Sequence, residues 1–469
     1  YQRGYGLVTG SSSITKPIFC VEFHHSIHIK IYMANWINKP ISSCFLLLYF
    51  IGYQLSITLP ILGENLKVPP HFQVINVSSL LPKPYCQRST SSGQKIGSQK
   101  LEIVSRYGPC YPNAKALTSE SDQLLNLDQV NSDHGYYTVK IGLGTPPQDF
   151  NLMVDTGSKS TWVRCKSCIR GCKPDDPLYD PSKSSTYTNN IESCNGPFSV
   201  GYEDKSSISG TWGCDTLTGD DLIGAIMKFQ FGCGQEVDGD FGDASGVLGL
   251  GRGESSVTSQ IASSVQMFSY YIPSTTSQVG NLYFGNEARA KSNTCSNQFT
   301  PLVQLDDDSV NYYLDLVGIS VAGKKLDVPS TIFTSRGTII DSGTTITRLP
   351  QVVYSALRDA FRQSMLSYTL IEEKVNKLMD TCYRLEVYNQ QVVLPEIKFH
   401  FGEATSIDVT LSSEGTVWSP DDSIGSIMCL AFAPTEKVTI IGNVQQRGFN
   451  VIYDLEGQRI GFGTNCPTT

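Results

Sequence analysis

The chain has 469 residues, with 36 Lys+Arg against 44 Asp+Glu and a formal net charge of −8. An acidic balance with no long basic run argues against a partner held by its phosphates, so no nucleic acid is expected. A hydrophobic fraction of 40% rules out wholesale disorder, and 41 glycines beside few charges suit many short strands and turns better than long charged helices.

The length allows two or three domains or one large β-rich unit. In chain order, the first methionine is Met33, and a single cation, Lys39, precedes an apolar run from Phe45 to Tyr53. This pattern reads as a secretory signal over 33–59. Residues 1–32 are expected to precede the native start, or to belong to a longer precursor. The apolar run is shorter than the roughly 20 residues a membrane helix needs. Extending it to Ile61 takes in Gln54, Ser56 and Thr58, so no stable membrane anchor is expected, an uncleaved anchor being the alternative. Residues 60–133 are rich in Ser, Lys, Gln and Pro and poor in clear periodicity. They read as a linker or prosegment, with a glycosylation sequon at Asn76-Val77-Ser78. From Tyr136 the pattern tightens into β alternation at Tyr137, Val139 and Ile141, and a Gly-Thr-Pro-Pro turn follows at 144–147. Further on, Tyr354, Leu357 and Phe361 fall at the spacing of an amphipathic helix.

The strongest signal is a pair. The apolar run Phe150–Val154 leads into Asp155-Thr156-Gly157-Ser158, and Gly337–Ile340 leads into Asp341-Ser342-Gly343-Thr344, half a domain later. One such tetrapeptide is a turn signature and no more. Two of them, each after an apolar strand, read as an internal duplication that supplies one carboxylate from each half. Two carboxylates about 3 Å apart cannot both ionise, so they share a proton. The ionised partner can take a proton from water while the protonated one donates to a scissile carbonyl. Gly157 and Gly343 let the loops approach without a Cβ. The hydroxyls of Thr156 and Ser342 can bond the opposite loop, and those of Ser158 and Thr344 their own Asp, which preorganises the pair.

On these motifs the sequence resembles the pepsin-like aspartic proteases, and among them the nepenthesin-like plant branch, over residues of about 136–466. Gly246-Val-Leu-Gly249 and Thr439-Ile-Ile-Gly442-Asn443 resemble the segments that thread against each catalytic loop. Phe231-Gly-Cys-Gly234, Asp380-Thr-Cys382, Cys429-Leu-Ala-Phe432 and Asn443-Val-Gln-Gln446 also agree, and Leu101–Cys110 resembles the branch's prosegment. The resemblance implies a mostly β, bilobal fold with a cleft between related lobes at 134–300 and 301–469. It implies Asp155 and Asp341 as the catalytic pair, supported by Thr156, Gly157, Ser158, Ser342, Gly343 and Thr344. Tyr202 and Trp162 fall at the substrate-binding flap. Water would be the nucleophile, with no metal or cofactor, at an acidic optimum and on protein or peptide substrates. A monomer in the secretory pathway, bound for apoplast or vacuole and kept latent by its prosegment, completes the expectation.

The sequence departs from the branch at the flap, where Glu203 and Lys205 replace two glycines in Tyr202-Glu203-Asp204-Lys205-Ser206. A hairpin tip often needs φ > 0, which these residues tolerate poorly; otherwise Lys205 is simply a solvated cation pairing with neighbouring acids. Lys159, after the first motif, is also unusual and is expected to point to solvent. Fourteen cysteines indicate an oxidising compartment, so Cys165, Cys168 and Cys172 are read as disulfide partners rather than zinc ligands. Tyr271 stands where the branch has Cys, while Cys214 and Cys295 are additional, so the connectivity stays open; the resemblance implies only Cys382 with Cys429. His400 is read as a core or edge histidine, and no Ser-His-Asp triad is argued. Two rival functions occur among similar proteins: a non-catalytic pepsin fold that binds another protein, as in xylanase inhibitors, and DNA binding in chloroplast nucleoids, which the charge of −8 does not support.

Overall fold

The computed structural model describes residues 18–23, 29–34, 68–77, 86–87, 100–106, 109–111 and 135–466, the last with gaps at 174–175, 220–224, 262–265, 276, 306–309, 373–374, 376–377, 386–390, 403–405 and 420–426. Residues 1–66 form one unit, in which Ile18–Phe23 and Ile29–Ala34 pair as an antiparallel hairpin. The expected signal run, 45–53, lies outside the described residues. Among the described residues no helix is long and apolar enough to cross a membrane. Residues 67–469 form the second unit.

This unit is mostly β and contains the same strand module twice. In the first copy, Gln148–Asp155 runs parallel to Gly246–Gly249, which pairs antiparallel with Trp162–Arg164; that strand in turn lies parallel to Gly232–Gly234. In the second, Thr338–Ile340 runs parallel to Thr439–Ile441, which meets Thr347–Pro350 antiparallel, and Thr347–Pro350 lies parallel to Phe432–Thr435. Each copy threads an apolar strand that ends in Asp, or immediately before it, against an apolar-apolar-Gly strand. Each of these strands is interior to its sheet, with one parallel and one antiparallel neighbour, and Val154, Leu248, Ile340 and Ile441 are all buried.

A single antiparallel sheet joins the two halves. Its order is Tyr137–Leu143, Lys100–Ser105, Gly280–Phe284, Met267–Tyr271, Asn450–Asp454, Arg459–Thr464 and Ser296–Val303. Outside it, Lys324–Lys325, Leu316–Val321, Ile397–Phe401 and Ile407–Thr410 form a four-stranded layer of the second half. Helix Gln351–Ser364 buries Val353, Tyr354, Leu357 and Phe361, the stripe expected from its spacing.

The stretch read as poor in periodicity holds two strands. Phe72–Asn76 pairs with Gln391–Pro395, and Lys100–Ser105 is the second strand of the joining sheet. Alternation is hidden in the latter because Ile103, Val104 and Ser105 are all buried and only Glu102 faces out. Asn76 of the sequon is exposed at a strand end, and Ser78 lies outside the described residues.

Among the described residues six disulfides are formed: Cys86–Cys110, Cys165–Cys233, Cys168–Cys172, Cys194–Cys214, Cys295–Cys466 and Cys382–Cys429. The last is the pairing that the resemblance implies. It joins residues directly opposite each other on antiparallel strands. Cys214 and Cys295 are additional only in the sense that each brings its own partner. The mostly β architecture, duplicated about a joining sheet, is that of a pepsin-like domain.

Candidate active site

The two Asp motifs meet. Each strand delivers its Asp at the point where ladder pairing stops, so the following residues turn and present their amides to the carboxylate. Gly157 N donates to Asp155 Oδ1 at 2.8 Å and Gly343 N to Asp341 Oδ1 at 2.8 Å. Ser158 Oγ donates to Asp155 Oδ2, and Thr344 Oγ1 to Asp341 Oδ2 at 2.6 Å. Each carboxylate is therefore held by one amide and one hydroxyl of its own loop.

The loops also clasp each other. Thr156 N donates to Ser342 Oγ (3.1 Å) and Ser342 N to Thr156 Oγ1 (3.0 Å). The two hydroxyls pass the interaction on, Ser342 Oγ to Val154 O (2.9 Å) and Thr156 Oγ1 to Ile340 O (3.4 Å). The four bonds have a local two-fold relation, and they fix the separation of the carboxylates through the backbone. A Cβ on Gly343 would come within 2.4 Å of Asp155 Oδ1, which requires glycine there, and one on Gly157 would press on Asp341 Oδ1 at 3.0 Å.

The pair is asymmetric. Asp155 is buried and Asp341 half-buried. Burial first, and then the charge of Asp341, raise the Asp155 pKa well above the ordinary carboxylate range, and the two side chains hydrogen-bond each other. Two carboxylates so placed disfavour double ionisation, and the deeper burial of Asp155 favours its neutral form.

Tyr202 and Trp162 come together above Asp155. Trp162 Nε1 donates to Tyr202 Oη at 2.7 Å, and both rings pack edge-on against Phe241. Burial and then the Asp155 charge push the Tyr202 hydroxyl up, and Ser158 hydrogen-bonds it. The hairpin of Pro197–Gly201 and Ser207–Thr218 carries Tyr202 at its turn. Lys205 sits there at φ 75°, the left-handed conformation that the missing glycine would have adopted without strain. Lys205 makes no ion pair among the described residues; instead Glu203 pairs with Lys437, which belongs to the second half of the chain. Asp204 Oδ1 accepts from Ser206 N (2.8 Å) and Ser206 Oγ (2.6 Å), closing the turn. Lys159 is exposed, as expected.

Sequence reasoning missed the support beneath the pair. Gln446 Nε2 donates to Asp341 O (3.2 Å) and Ile441 O (2.9 Å), and Asn443 Nδ2 to Ser342 O (3.1 Å) and Gly135 O (2.8 Å). Tyr270, fully buried, donates to Gln446 Oε1 and hydrogen-bonds Tyr453 at 3.0 Å. The available signal was the run of amides in Asn443-Val-Gln-Gln446 directly after an apolar-apolar-Gly strand.

His400 differs from its reading in one respect. Its Nε2 lies 2.6 Å from Ser320 Oγ and its Nδ1 2.6 Å from Asp408 Oδ1, the order of a hydrolytic triad. Ser320, however, is mid-strand and paired on both edges, to Lys325 and Lys398, which commits the amides an oxyanion would need. The three residues form a polar cross-strand chain. Cys165, Cys168 and Cys172 are taken by disulfides to Cys233 and to each other, which leaves no thiolate for zinc.

Comparison with known proteins agrees with this geometry. Residues 136–465 match the family described as eukaryotic aspartyl protease. An aspartyl protease family protein of Arabidopsis thaliana is 34% identical, over 83% of this chain and 92% of its own length. The aspartyl protease AED1 of the same plant is 33% identical, over 83% and 91%. Aspartic proteinase nepenthesin-2 of Nepenthes gracilis is 29% identical, over 72% and 79%. The chain belongs to the eukaryotic aspartyl protease family.

Proposed function

We propose that this protein is an aspartic endopeptidase with Asp155 and Asp341 as its catalytic residues. The observation that carries the reading is that the two aspartate loops clasp each other, with each carboxylate already oriented by an amide and a hydroxyl of its own loop. In the reaction, Asp341 takes a proton from a water held between the carboxylates, and the water oxygen bonds to the scissile carbon. Asp155 gives its proton to the carbonyl oxygen, forming a gem-diol. Collapse of that diol breaks the C–N bond, the amine leaving with a proton from the pair. An extended peptide would lie in β conformation beneath the Tyr202 hairpin. Residues 60–133 would be the prosegment that is cut before activity. A monomer passing through the secretory pathway to apoplast or vacuole fits a chain with six disulfides among its described residues.

Processed protein should cleave acid-denatured globin at pH of about 3–5, where one of two such carboxyls is protonated. No cleavage by correctly folded and processed protein would overturn the proposal. It would favour a second reading, a pepsin fold that binds another protein without cutting it, for which the tethered and strained flap at Glu203 and Lys205 speaks.

A further inference from the structure

We propose that the strands Phe72–Asn76 and Lys100–Ser105, with Tyr111, are a lasting structural part of the folded protein, and that a cut between Tyr111 and Gly135 leaves the segment carrying them bound without a covalent link. A processed form would then consist of two chains. The inference goes beyond peptidase activity and does not depend on it.

Strand Lys100–Ser105 is an interior strand. On one side Leu101 stands against Leu282 and Ile103 against Gly280; on the other Ile103 stands against Val139 and Ser105 against Tyr137. Its departure would open two strand edges in the middle of the joining sheet. It would also empty the places of Leu101 and Ile103, which are 4% and 0% exposed. Gly280 is fitted to the strand: a Cβ there would lie 3.3 Å from Ile103 Cβ and 2.1 Å from Tyr271 O.

Two more holds reach other parts of the protein. Phe72–Asn76 lies along Gln391–Pro395 with Ile75 fully buried, and Gln73 Nε2 donates to Leu411 O at 3.1 Å. Tyr111 is buried and its hydroxyl donates to Asp243 O at 3.1 Å, while the Arg106 guanidinium lies 5.2 Å from the centre of the Tyr136 ring. The Cys86–Cys110 disulfide lies wholly within the segment. It keeps the segment's own loop closed and does not tie it to the rest, so retention comes from sheet pairing and burial. The partners in these contacts are not residues of the two aspartate loops or of the flap hairpin, so the segment can stay while a peptide occupies the cleft.

The test places the recognition sequence of a specific neutral-pH endoprotease between residues 112 and 134 of the full chain, cuts the folded protein and weighs it by native mass spectrometry. The expected result is one particle containing both pieces, which separate only on denaturation. Release of the piece carrying residues 68–111 from a folded remainder overturns the proposal, whether or not residues 112–134 take its place. Leu101→Asp with Ile103→Asp should weaken retention about a hundredfold, since two charges would enter a core position. Undiminished retention in that variant contradicts the role given to the strand, and the cut wild-type chain decides the matter by itself if the variant does not fold.

Discussion

Asp155 is more buried than Asp341, and this difference in environment carries the chemistry assigned to each. Its pKa is raised by burial and by its neighbour's charge. An acid whose folded-state pKa lies above its unfolded value adds no cost below the ordinary carboxylate range. It then costs stability progressively as pH rises from there to the raised value. Asp155→Asn, neutral at every pH, should therefore raise Tm at neutral pH by a few degrees, with the gain fading on acidification; a lower Tm at neutral pH would refute the assigned environment. The motifs that carry the pair were legible, because a carboxylate followed by hydroxyl, Gly and hydroxyl has few other uses when it occurs twice. Which carboxylate holds the proton was not legible. It depends on the burial of Asp155, beside which Tyr202 is also buried, and these residues are brought together only by the fold.

The flap hairpin is the element where this chain departs from its resemblance. The expected conflict is present: Lys205 occupies φ 75°. Lys205→Gly should stabilise the protein by about 1 kcal/mol, since a side chain in the left-handed region carries a strain that glycine avoids. Denaturant melts of the two proteins would check this, and equal midpoints would mean that the turn is relaxed by its Asp204–Ser206 bonds. Glu203 and Lys437 are both mostly exposed, so their ion pair is worth at most about 1 kcal/mol to the fold. Because it ties the hairpin turn to the second half of the chain, its expected effect is on opening of the proposed flap. Glu203→Gln should change KM for a long peptide several-fold and remove its dependence on ionic strength, with kcat nearly unchanged. A KM that still follows salt as in the wild type would remove the pair from flap motion. The substitution of both glycines could be read from the sequence, but Lys437 as the partner could not, because the two lie in different halves of the chain.

For the molecule as a whole, the duplicated motif led directly to a duplicated strand module, and the apolar-apolar-Gly segments that resemble the family are the strands threaded against each Asp loop. Most cysteine pairings were not legible, since partners such as Cys295 and Cys466 are brought together by sheet order and not by spacing. The strands at 72–76 and 100–105 were missed because burial does not alternate along either: the first buries only Ile75, and the second buries Ile103, Val104 and Ser105 in succession. On the proposed function, this architecture holds two carboxylates so that they share one proton. The pH dependence of kcat/KM on a peptide substrate, measured for the wild type, Asp155→Asn and Asp341→Asn, tests that claim most directly. The wild type should lose activity at low pH as the second carboxyl protonates, and lose it again only above the ordinary carboxylate range as Asp155 gives up its proton. Each variant should fall by about 10³-fold or more at every pH. A variant that keeps the wild-type rate and the same two limbs would contradict the account.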